Sequence, residues 1–481
     1  MDERYTLGIW DGHDAGAALL RGPQVLCAVN EERLSRRKLE VGFPARSIEA
    51  CLAFEGISPG DVDRIAASTS DPAKTLTRLV PGLKEQYYLI RRRKRRPGRL
   101  DPLKKRFKYR FTELSPNRLS RALSRSYLRR RLDALGFRTT RLHLVDHHEA
   151  HARAAALCSG FPESLILTMD GVGDGLSGSV WRFQGRRMRL LAAIPATASL
   201  GIFFEHVTNL LNMRELEDEG KVMAMADHAL PVPDRDNPLL ALLRVEGLKL
   251  IPSLPSKRLF RALRDILWQY PSEQFASMAQ RLVENRVVEL VRNAVGQAGE
   301  SRVAVSGGLF SNIKVNHRVQ EMDEVDRLYV FPHMGDGGLA LGAALGGKDL
   351  HDLPASRRLG HLYLGPQPTD QETSAALDRS GMPYRRIRDP AGEAVRLVLR
   401  GEIVLWFQGR MEYGPRALGN RSILARPDDP LLRDRLNLAL KKRVWYQPFC
   451  PSLLAEDAET LLELREAALE DTPFMTSAFR V

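Results

Sequence analysis

The chain has 481 residues, more than the roughly 100–200 residues of one ordinary domain, which predicts a multidomain enzyme. A hydrophobic content of 43% and a charged content of 27% are globular values, and the longest apolar runs are too short to span a membrane. Four cysteines without CxxC spacing exclude a disulfide framework and a zinc cluster, and the opening MDERYTLGIW lacks a secretory signal, which together favour a cytoplasmic protein.

The first predicted elements are short strands within residues 5–35. The apolar runs TLGIW, AGAALL and VLCAV are separated by the turn sequences DGHD and RGPQ, a pattern that predicts a β-meander opening an α/β domain. The first turn, Asp11-Gly12-His13-Asp14, places a carboxylate, a flexible backbone and an imidazole between two strands. Actin-like and sugar-kinase-like ATPases contact phosphate at this position, so we expect Asp11 and Gly12 to bind a nucleotide.

Residues 84–131 form a strongly basic insert. They hold 19 Lys and Arg against three acidic residues, a net charge of +16 that leaves −3 for the rest of a chain whose total is +13. Such a block can bind RNA, an anionic membrane or an acidic partner, or it can be a solvated helical insert. The aromatic residues within the charge are Tyr87, Tyr88, Phe107, Tyr109 and Tyr127. They suit base stacking and equally suit packing of the insert onto its own domain, and we favour the packing interpretation.

The next predicted helix contains two histidines with the spacing of metal ligands. His147 and His151 are four residues apart, so both imidazoles lie on one helix face, where a divalent metal can bind. A carboxylate from elsewhere would complete such a site, and Asp170 and Asp336 are the candidates. The same spacing also occurs in buried, hydrogen-bonded histidines that hold no metal. His148 points to another face, and we expect a supporting role for it.

A second meander follows the histidine helix. Residues 164–169 form an apolar strand that ends in DGVGDG, and VWRF and MRLLAAI continue the pattern. Two meanders with helices between them predict a duplicated fold with a cleft between its halves. Further on, VAV at 303–305 leads into Ser306-Gly307-Gly308, and FPHMGDGG at 331–338 precedes a helix of small residues. These glycines are typical of strand-to-helix turns where a nucleotide contacts backbone N–H groups, although one such turn alone is ordinary.

The segment 406–451 combines WFQGRMEYGPRALGNRSILARP with the triplet Lys441-Lys442-Arg443. Planar guanidinium groups and a lysine point charge suit phosphate or carboxyl-phosphate as a ligand. The side chains that offer them are Arg410, Arg416, Arg421 and Lys441. The alternative is a basic, solvated turn and helix.

Together these motifs resemble the O-carbamoyltransferases of nodulation-factor and antibiotic biosynthesis, such as those of the cephamycin and tobramycin pathways. The resemblance rests on GHDAGAAL at 12–19, HHEAHA at 147–152, the DGxGDG turn at 170–175, GGLFSN at 307–312, the GDGG turn and the GPRALG string. It covers most of the chain, with the basic insert as the exception. It implies a mixed α/β chain with a duplicated actin/sugar-kinase-like (ASKHA) transfer domain at 1–350 and an α+β YrdC-like domain at 356–481.

The resemblance also implies a reaction with two sites. In this family the YrdC-like domain joins carbamoyl phosphate to ATP, and the transfer domain moves the carbamoyl group of the resulting carbamoyl-adenylate to an acceptor hydroxyl. Fe²⁺ or another divalent metal is implied at His147, His151, Asp170 and Asp336, together with ATP and Mg²⁺. His13 matches the histidine that assists deprotonation of the acceptor.

Further residues match the family's nucleotide and phosphate sites. Lys221, Gly307, Gly308 and Asn312 would line the nucleotide cleft. Arg416 and Lys441 match the arginine and lysine that hold carbamoyl phosphate and the phosphates of ATP, and Arg443 of the same triplet is expected to join them.

Two departures from the family pattern concern the C-terminal domain. Gln447 stands where the family has arginine, which removes a bidentate anion contact. The family continues past the PFM motif at 473–475, whereas this chain stops at Val481, so the YrdC-like domain is about half present. A half-domain leaves sheet edges and apolar surface uncovered. We expect a shortened gene, a second polypeptide that supplies the missing part, or a degenerate domain that receives adenylate from elsewhere.

The sequence thus predicts a cytoplasmic O-carbamoyltransferase that uses ATP and carbamoyl phosphate to modify a hydroxyl of a small molecule, such as a natural product or sugar. A homo-oligomer is expected. One alternative is a tRNA threonylcarbamoyl-type modifier, or a catalytically degenerate relative, that uses the insert to bind nucleic acid. Another is a sugar-kinase-like phosphotransferase, which would cleave ATP to ADP.

Overall fold

The computed structural model of the protein describes residues 4–96, 98, 111–138, 140–346, 353–465, 470 and 473–481. Part of the basic insert, residues 97 and 99–110, lies outside the described residues, and so do Phe107 and Tyr109 of its predicted aromatic set.

The first half of the fold is built on a five-stranded sheet. Its strands are β1 (Tyr5–Trp10), β2 (Gly16–Arg21), β3 (Gln24–Asn30), β4 (Val62–Ser68) and β5 (Arg141–Val145). Their order across the sheet is β3-β2-β1-β4-β5. The first three strands form the predicted antiparallel meander, while β4 and β5 are parallel to β1.

The second half repeats this topology. Its strands are β6 (Ser164–Gly173), β7 (Leu176–Gln184), β8 (Arg187–Pro195), β11 (Arg302–Ser306) and β12 (Arg327–Val330), and a hairpin of β9 (Leu243–Glu246) and β10 (Lys249–Pro252) lies between them in sequence. The order is β12-β11-β6-β7-β8, again an antiparallel meander with two parallel strands beside its first strand. The predicted duplication is therefore present in the sheet topology.

Helices occur in both halves and in the C-terminal part. In the first half they are α1 (Glu31–Ser35), α2 (Ala45–Glu55), α3 (Pro72–Leu79), α4 (Pro81–Arg91), α5 (Arg118–Asp133) and α6 (His147–Cys158). In the second half they are α7 (Leu200–Leu210), α8 (Glu219–Met225), α9 (Ser256–Leu267), α10 (Ser272–Ala298), α11 (Ile313–Gln320) and α12 (Leu339–Ala344). The C-terminal part holds α13 (Asp370–Ser380), α14 (Pro390–Leu399), α15 (Pro430–Asp434), a π-helical turn (Arg435–Leu440) and α16 (Ala455–Leu461).

Helix ends follow the capping residues of the sequence. The side chain of Asn117 accepts a hydrogen bond from the N–H of Ser120 and begins α5. Helix α13 begins with a capping box in which Thr369 and Glu372 bond to each other's backbone N–H groups. Both α10 and α13 end at a glycine of left-handed backbone conformation, Gly299 and Gly381.

Helices α6 and α12 pack between the two sheets and form the centre of the molecule. Their alanines share one apolar cluster with Trp10 and Ala18 of the first sheet and with Ile166 and Ala304 of the second. Small residues are required there, because a Cβ atom on Gly342 would lie 2.0 Å from the carbonyl oxygen of Ala150. This close packing brings the first residues of α6 next to the ends of the central strands of both sheets.

The C-terminal part packs against both halves. It contains a two-stranded antiparallel sheet of β13 (Val404–Phe407) and β14 (Arg421–Leu424), on which Leu405 is 70% exposed and Phe407 60% exposed. A backbone hydrogen bond of 2.9 Å joins Ala28 to Leu364, and Tyr413 donates to the carbonyl of Gly337 at 2.9 Å. The loop that follows Tyr413 is thereby held next to the turn that contains Asp336.

None of the helices that the structure describes is both long enough and apolar enough to cross a membrane.

Candidate active site

The histidine helix α6 begins directly at the site. The N–H of His147 donates to Asp174 Oδ2 at 2.7 Å, so the carboxylate that caps this helix comes from the turn after β6. His147 and His151 lie on one face, as predicted. His148 lies on another face, where its ring nitrogens are 2.8 Å from Thr168 Oγ1 and 3.2 Å from the carbonyl of Leu176.

Two aspartates complete a cluster around these histidines. One ligand atom each from His147, His151, Asp170 and Asp336 lies within 4.8 Å of the others, and we refer to these residues as the four-residue cluster. Asp170 Oδ2 is 3.1 Å from His147 Nε2 and 3.5 Å from His151 Nε2. Asp336 Oδ1 is 3.6 Å from the first of these nitrogens and 3.7 Å from the second. The four predicted residues are thus brought together by β6, α6 and the turn after β12.

Hydroxyl groups behind the histidines orient both rings. His147 Nδ1 is 3.1 Å from Thr69 Oγ1, and His151 Nδ1 is 3.1 Å from Ser306 Oγ. The Ser306 hydroxyl also donates to the carbonyl of Met334 at 3.3 Å, which leaves its oxygen able to accept from His151 Nδ1–H. The Nδ1 proton fixes the tautomer, so the lone pair of Nε2 points into the cluster, as in histidines that bind metals.

The residues present fit a divalent metal ion. His151 Nε2 and Asp336 Oδ1 are both buried and have no hydrogen-bond partner among the described residues, although both face the centre of the cluster. Such atoms are costly to bury unless a ligand satisfies them. Two imidazole nitrogens and two carboxylate oxygens form a donor set that suits a first-row divalent ion.

The electrostatics of the cluster also favour a cation. Burial opposes the charged form of His151, but the neighbouring carboxylates of Asp170 and Asp336 outweigh it and raise the pKa of His151 to about 9. Burial would raise the pKa of Asp170, yet the two histidines hold it well below its usual value. The two carboxylates therefore need a positive charge beside them, which either a proton on His151 or a metal ion supplies.

His13 lies beside the cluster, in the turn between β1 and β2. Its Nε2 is 3.2 Å from Asp336 Oδ2 and its Nδ1 is 3.4 Å from Asp14 Oδ2. The indole N–H of Trp10 donates to the carbonyl of His13 at 2.6 Å, which fixes the turn. Burial lowers the pKa of His13, but the charge of Asp336 and then Asp14 raises it above the ordinary value.

Asp11 has a different environment from the one expected. Its carboxylate oxygens contact the ammonium of Lys74 at 2.7 Å and the guanidinium of Arg78 at 2.8 and 2.9 Å. All three side chains are buried. The sequence predicted that Asp11 contacts a phosphate. In the structure its carboxylate instead forms ion pairs with two cationic side chains of α3, which stabilise the turn.

A cavity of about 830 Å³ lies above the four-residue cluster, between the two halves. Of the predicted nucleotide residues, Gly12, Gly308 and Asn312 line it, and Asp11, Lys221 and Gly307 do not. Lys221 pairs with Asp218 Oδ1 at 2.8 Å, and Gly307 lies behind the wall, where a Cβ atom would come within 2.2 Å of the carbonyl oxygen of Met169. The volume lies within the usual range of roughly 300–1,000 Å³ for ligand sites.

The three arginines of the C-terminal string have two different roles. Arg410 donates to the carbonyls of Gly365, Leu26 and Leu364 at 2.6 to 3.0 Å. Arg421 donates to the carbonyls of residues 408, 409 and 420 and lies over the ring of Phe407. Both therefore hold backbone together. Arg416 lines the cavity, and its buried Nε has no hydrogen-bond partner among the described residues, so it is available to an anion.

The basic triplet does not meet the four-residue cluster. Lys441 is exposed and lies outside the cavity lining. Arg443 donates to Asn437 Oδ1 at 2.6 Å and lies over the ring of Phe449, 4.3 Å from its centroid. Of the predicted phosphate-binding residues, only Arg416 reaches the cavity, held by a loop whose Gly414 carbonyl accepts from Arg33 at 2.9 Å.

Four residues of the site were missed by the sequence interpretation. Thr69 and Ser306 orient the histidines, Asn30 contacts His333 Nε2 at 2.8 Å, and Tyr88 packs on His13. Ser306 stood in a predicted strand-to-helix turn, which was the only sequence feature that could have pointed to it. The others become neighbours of the site only through tertiary packing.

Two family models match most of the chain. The model described as Carbamoyltransferase N-terminus matches residues 5–345, and the model described as Carbamoyltransferase C-terminus matches residues 395–481.

Several curated proteins are similar to the chain. Nodulation protein NolNO of Sinorhizobium fredii is 32% identical over 479 residues, which is 96% of this chain and 65% of that protein. Nodulation protein NolO of Bradyrhizobium diazoefficiens is 35% identical over 349 residues, 70% of this chain and 63% of that protein. The 3'-hydroxymethylcephem-O-carbamoyltransferase of Streptomyces clavuligerus is 28% identical over 251 residues, 50% of this chain and 45% of that protein. The chain thus spans less than two thirds of the length of each of these relatives.

Solved structures share low similarity with the chain. HypF of T. kodakarensis matches 71% of this chain over 47% of its own length, at 13% identity and a TM-score of 0.41. The ROK hexokinase from Thermus thermophilus matches 71% of this chain over 97% of its own length, at 16% identity and a TM-score of 0.30.

Proposed function

This chain belongs to the carbamoyltransferase family, and on that premise we propose that it transfers a carbamoyl group from carbamoyl-adenylate to a hydroxyl of a small molecule. The observation that carries this proposal is a cavity that His13, Arg416 and three members of the four-residue cluster line, with His151 directly behind them. The cluster would hold a divalent ion, with Fe²⁺ as the expected metal. When bound, the ion supplies a Lewis acid for the carbonyl or phosphate of the donor.

His13 is the group that activates the acceptor in this proposal. Neighbouring carboxylates raise its affinity for a proton, and it lies 3.2 Å from Asp336, at the edge of the cluster. It takes the proton of the acceptor hydroxyl while that oxygen attacks the carbamoyl carbon. The bond between the carbamoyl carbon and the adenylate oxygen then breaks, and AMP leaves. Asp336 stabilises the imidazolium that forms.

The nucleotide part of the donor is assigned to the wall that contains Gly12, Gly308 and Asn312. Backbone N–H groups at such turns suit phosphate oxygens. Arg416 supplies a guanidinium whose buried Nε has no partner among the described residues, so it can bind an anion of carbamoyl phosphate, ATP or the adenylate. Lys441 and Arg443 would take part only in the formation of the donor, at the C-terminal part.

We also propose how the donor, carbamoyl-adenylate, is formed before the transfer step. Carbamoyl phosphate releases inorganic phosphate to water, and the carbamate oxygen attacks the α-phosphorus of ATP, from which pyrophosphate leaves. Mg²⁺ accompanies the ATP phosphates. We place this chemistry in a YrdC-like domain at about 356–481.

The proposal is tested by two incubations of the purified 481-residue chain. In one, ATP, Mg²⁺ and carbamoyl phosphate are supplied, and mass spectrometry should detect pyrophosphate and carbamoyl-adenylate. In the other, preformed carbamoyl-adenylate is supplied, and AMP should accumulate. AMP in the second incubation alone means that donor formation needs another polypeptide. Consumption of ATP to ADP would support a phosphotransferase instead, and an unchanged adenylate would refute transfer.

A matched pair of histidine variants tests the metal assignment. His151→Ala should remove the bound metal and the consumption of carbamoyl-adenylate without unfolding the protein. His361→Ala is the control, because His361 is exposed and stacks on Tyr363 in the C-terminal part. Equal metal content in the two variants would defeat the ligand assignment.

The nucleic-acid alternative has less support from the described part of the basic insert. Arg91 pairs with Glu205 and with Glu215, and Arg92 pairs with Glu217, so two arginines of the uninterrupted basic run are neutralised within the protein. Buried pairs of this kind are not available to phosphates.

A further inference from the structure

We infer that helix α4 is the acceptor wall of the cavity and that Tyr88 on this helix positions His13 for the transfer step. This inference rests on the proposed function. It assigns a role to the first part of the basic insert, which the resemblance to known carbamoyltransferases leaves unexplained.

Tyr88 contacts the proposed base directly. Its ring lies edge-on to the imidazole of His13, with 5.2 Å between the ring centroids and an interplanar angle of 69°. The two nitrogens of His13 are directed at Asp14 and Asp336, so these carboxylates restrain the nitrogens and the Tyr88 ring restrains the imidazole by an edge-to-face contact. An imidazole held on several sides has fewer orientations to search before it accepts a proton.

Helix α4 is fixed over the cavity by three consecutive arginines at its C-terminal end. Arg91 pairs with Glu205 and Glu215 of the second half. Arg92 pairs with Glu217 and donates to the carbonyl of Lys38, which belongs to the first half. Arg93 donates to the carbonyls of residues 209 and 212 at 3.0 Å. The arginines therefore tie α4 to both sides of the cleft.

Three residues of α4 line the cavity, and two of them are aromatic. Tyr87 and Tyr88 both line it, and their ring centroids are 5.4 Å apart. The guanidinium of Arg91 lies 5.5 Å from the centroid of the Tyr87 ring, so the ion pairs and the aromatic wall form one unit. An aromatic wall with polar rims suits an organic acceptor better than the phosphates of a nucleotide.

The acceptor, rather than the donor, is the ligand that this wall would contact. A base must touch the hydroxyl that it deprotonates, and Tyr88 touches the base. Gly308, on the wall assigned to the nucleotide, instead borders Asp170, because a Cβ atom on it would lie 2.8 Å from Asp170 Oδ1. Tyr88 thus contacts His13, whereas Gly308 of the nucleotide wall borders Asp170 of the four-residue cluster.

The experiment compares Tyr88→Leu with Tyr88→Phe in the full chain. Tyr384→Leu is the control, since Tyr384 is a 47% exposed tyrosine of the C-terminal part. The first readout is the rate at which diethylpyrocarbonate modifies His13 at neutral pH, followed on the His13 peptide by mass spectrometry. The second readout is kcat and KM for preformed carbamoyl-adenylate with water as the acceptor.

We expect Tyr88→Leu to speed the modification of His13, because the aromatic contact that restrains and shields the imidazole is lost. We also expect kcat to fall by about 10- to 100-fold with an unchanged KM, because a displaced base loses its alignment. Tyr88→Phe should behave as wild type in both readouts. Wild-type rates for Tyr88→Leu in both readouts would overturn the inference. If wild-type protein leaves the adenylate intact, the proposed function fails, and the modification rate still tests the contact between Tyr88 and His13.

Discussion

The hydroxyl of Ser306 provides a test of the metal site that leaves all four ligands in place. Ser306→Ala removes the hydroxyl oxygen that accepts a hydrogen bond from His151 Nδ1, 3.1 Å away, and leaves the Cβ atom in place. Loss of such an outer hydrogen bond weakens metal binding by about 10- to 100-fold, which corresponds to about 1.4–2.7 kcal/mol. The reason is that the ring can then rotate and take the other tautomer, which turns the Nε2 lone pair away from the ion.

The matched control for this variant is Ser164→Ala. Both serines are fully buried strand residues, but Ser164 begins β6 at the end away from the cluster. Affinity is measured by competition with a chelator of known strength, with Zn²⁺ and Fe²⁺ as probes and metal content read by mass spectrometry. We expect Ser164→Ala to bind as wild type does and Ser306→Ala to require about 10- to 100-fold more free metal. Equal affinities in the two variants would refute the argument that Ser306 orients His151.

The remaining predictions concern pH, a buried ion triad and the arginines. Metal binding should weaken as pH falls from about 9 toward 6.5, because the metal must displace a proton from His151. In the metal-free protein the free energy of unfolding should be highest below pH 6.5 and should decline as pH rises toward 9, because folding raises the pKa of this histidine. Thermal unfolding across this pH range, with and without metal, checks both trends. Asp11→Asn should destabilise the fold by about 3–5 kcal/mol in denaturant titrations, because it leaves two buried cations without their carboxylate. Arg416→Ala should stop adenylate formation without lowering Tm, whereas Arg421→Ala should lower Tm, because it loses three bonds to backbone carbonyls. An unaltered Tm in Arg421→Ala would contradict the structural role given to that arginine.

The features that depend on local sequence were predictable. Alternating apolar runs and turns located both meanders, and the repeated order of the strands follows from them. The spacing of His147 and His151 predicted a shared helix face, because an α-helix repeats about every 3.6 residues. Asp170 lies near the end of β6 and Asp336 lies in the turn after β12. Both strands are parallel to β11, which lies between them, so their carboxyl ends meet at one edge of the sheet.

The features that depend on partners distant in sequence were not predictable in the same way. Arg410, Arg416 and Arg421 are chemically alike within one short string, and only tertiary contacts decide that two of them bind backbone carbonyls. Likewise, the partners of Arg91 lie far along the chain, at Glu205 and Glu215. Charge counting identified the insert as basic but could not show that its first arginines are neutralised internally.

The central claim is that the four-residue cluster supports transfer from carbamoyl-adenylate. The most direct measurement follows the consumption of preformed carbamoyl-adenylate, by rapid quench and mass spectrometry, in the wild-type chain with metal, after chelation and after restoration of the metal. We predict release of AMP that is lost on chelation and returns with the divalent ion. Release of AMP at the same rate in all three states would contradict the claim.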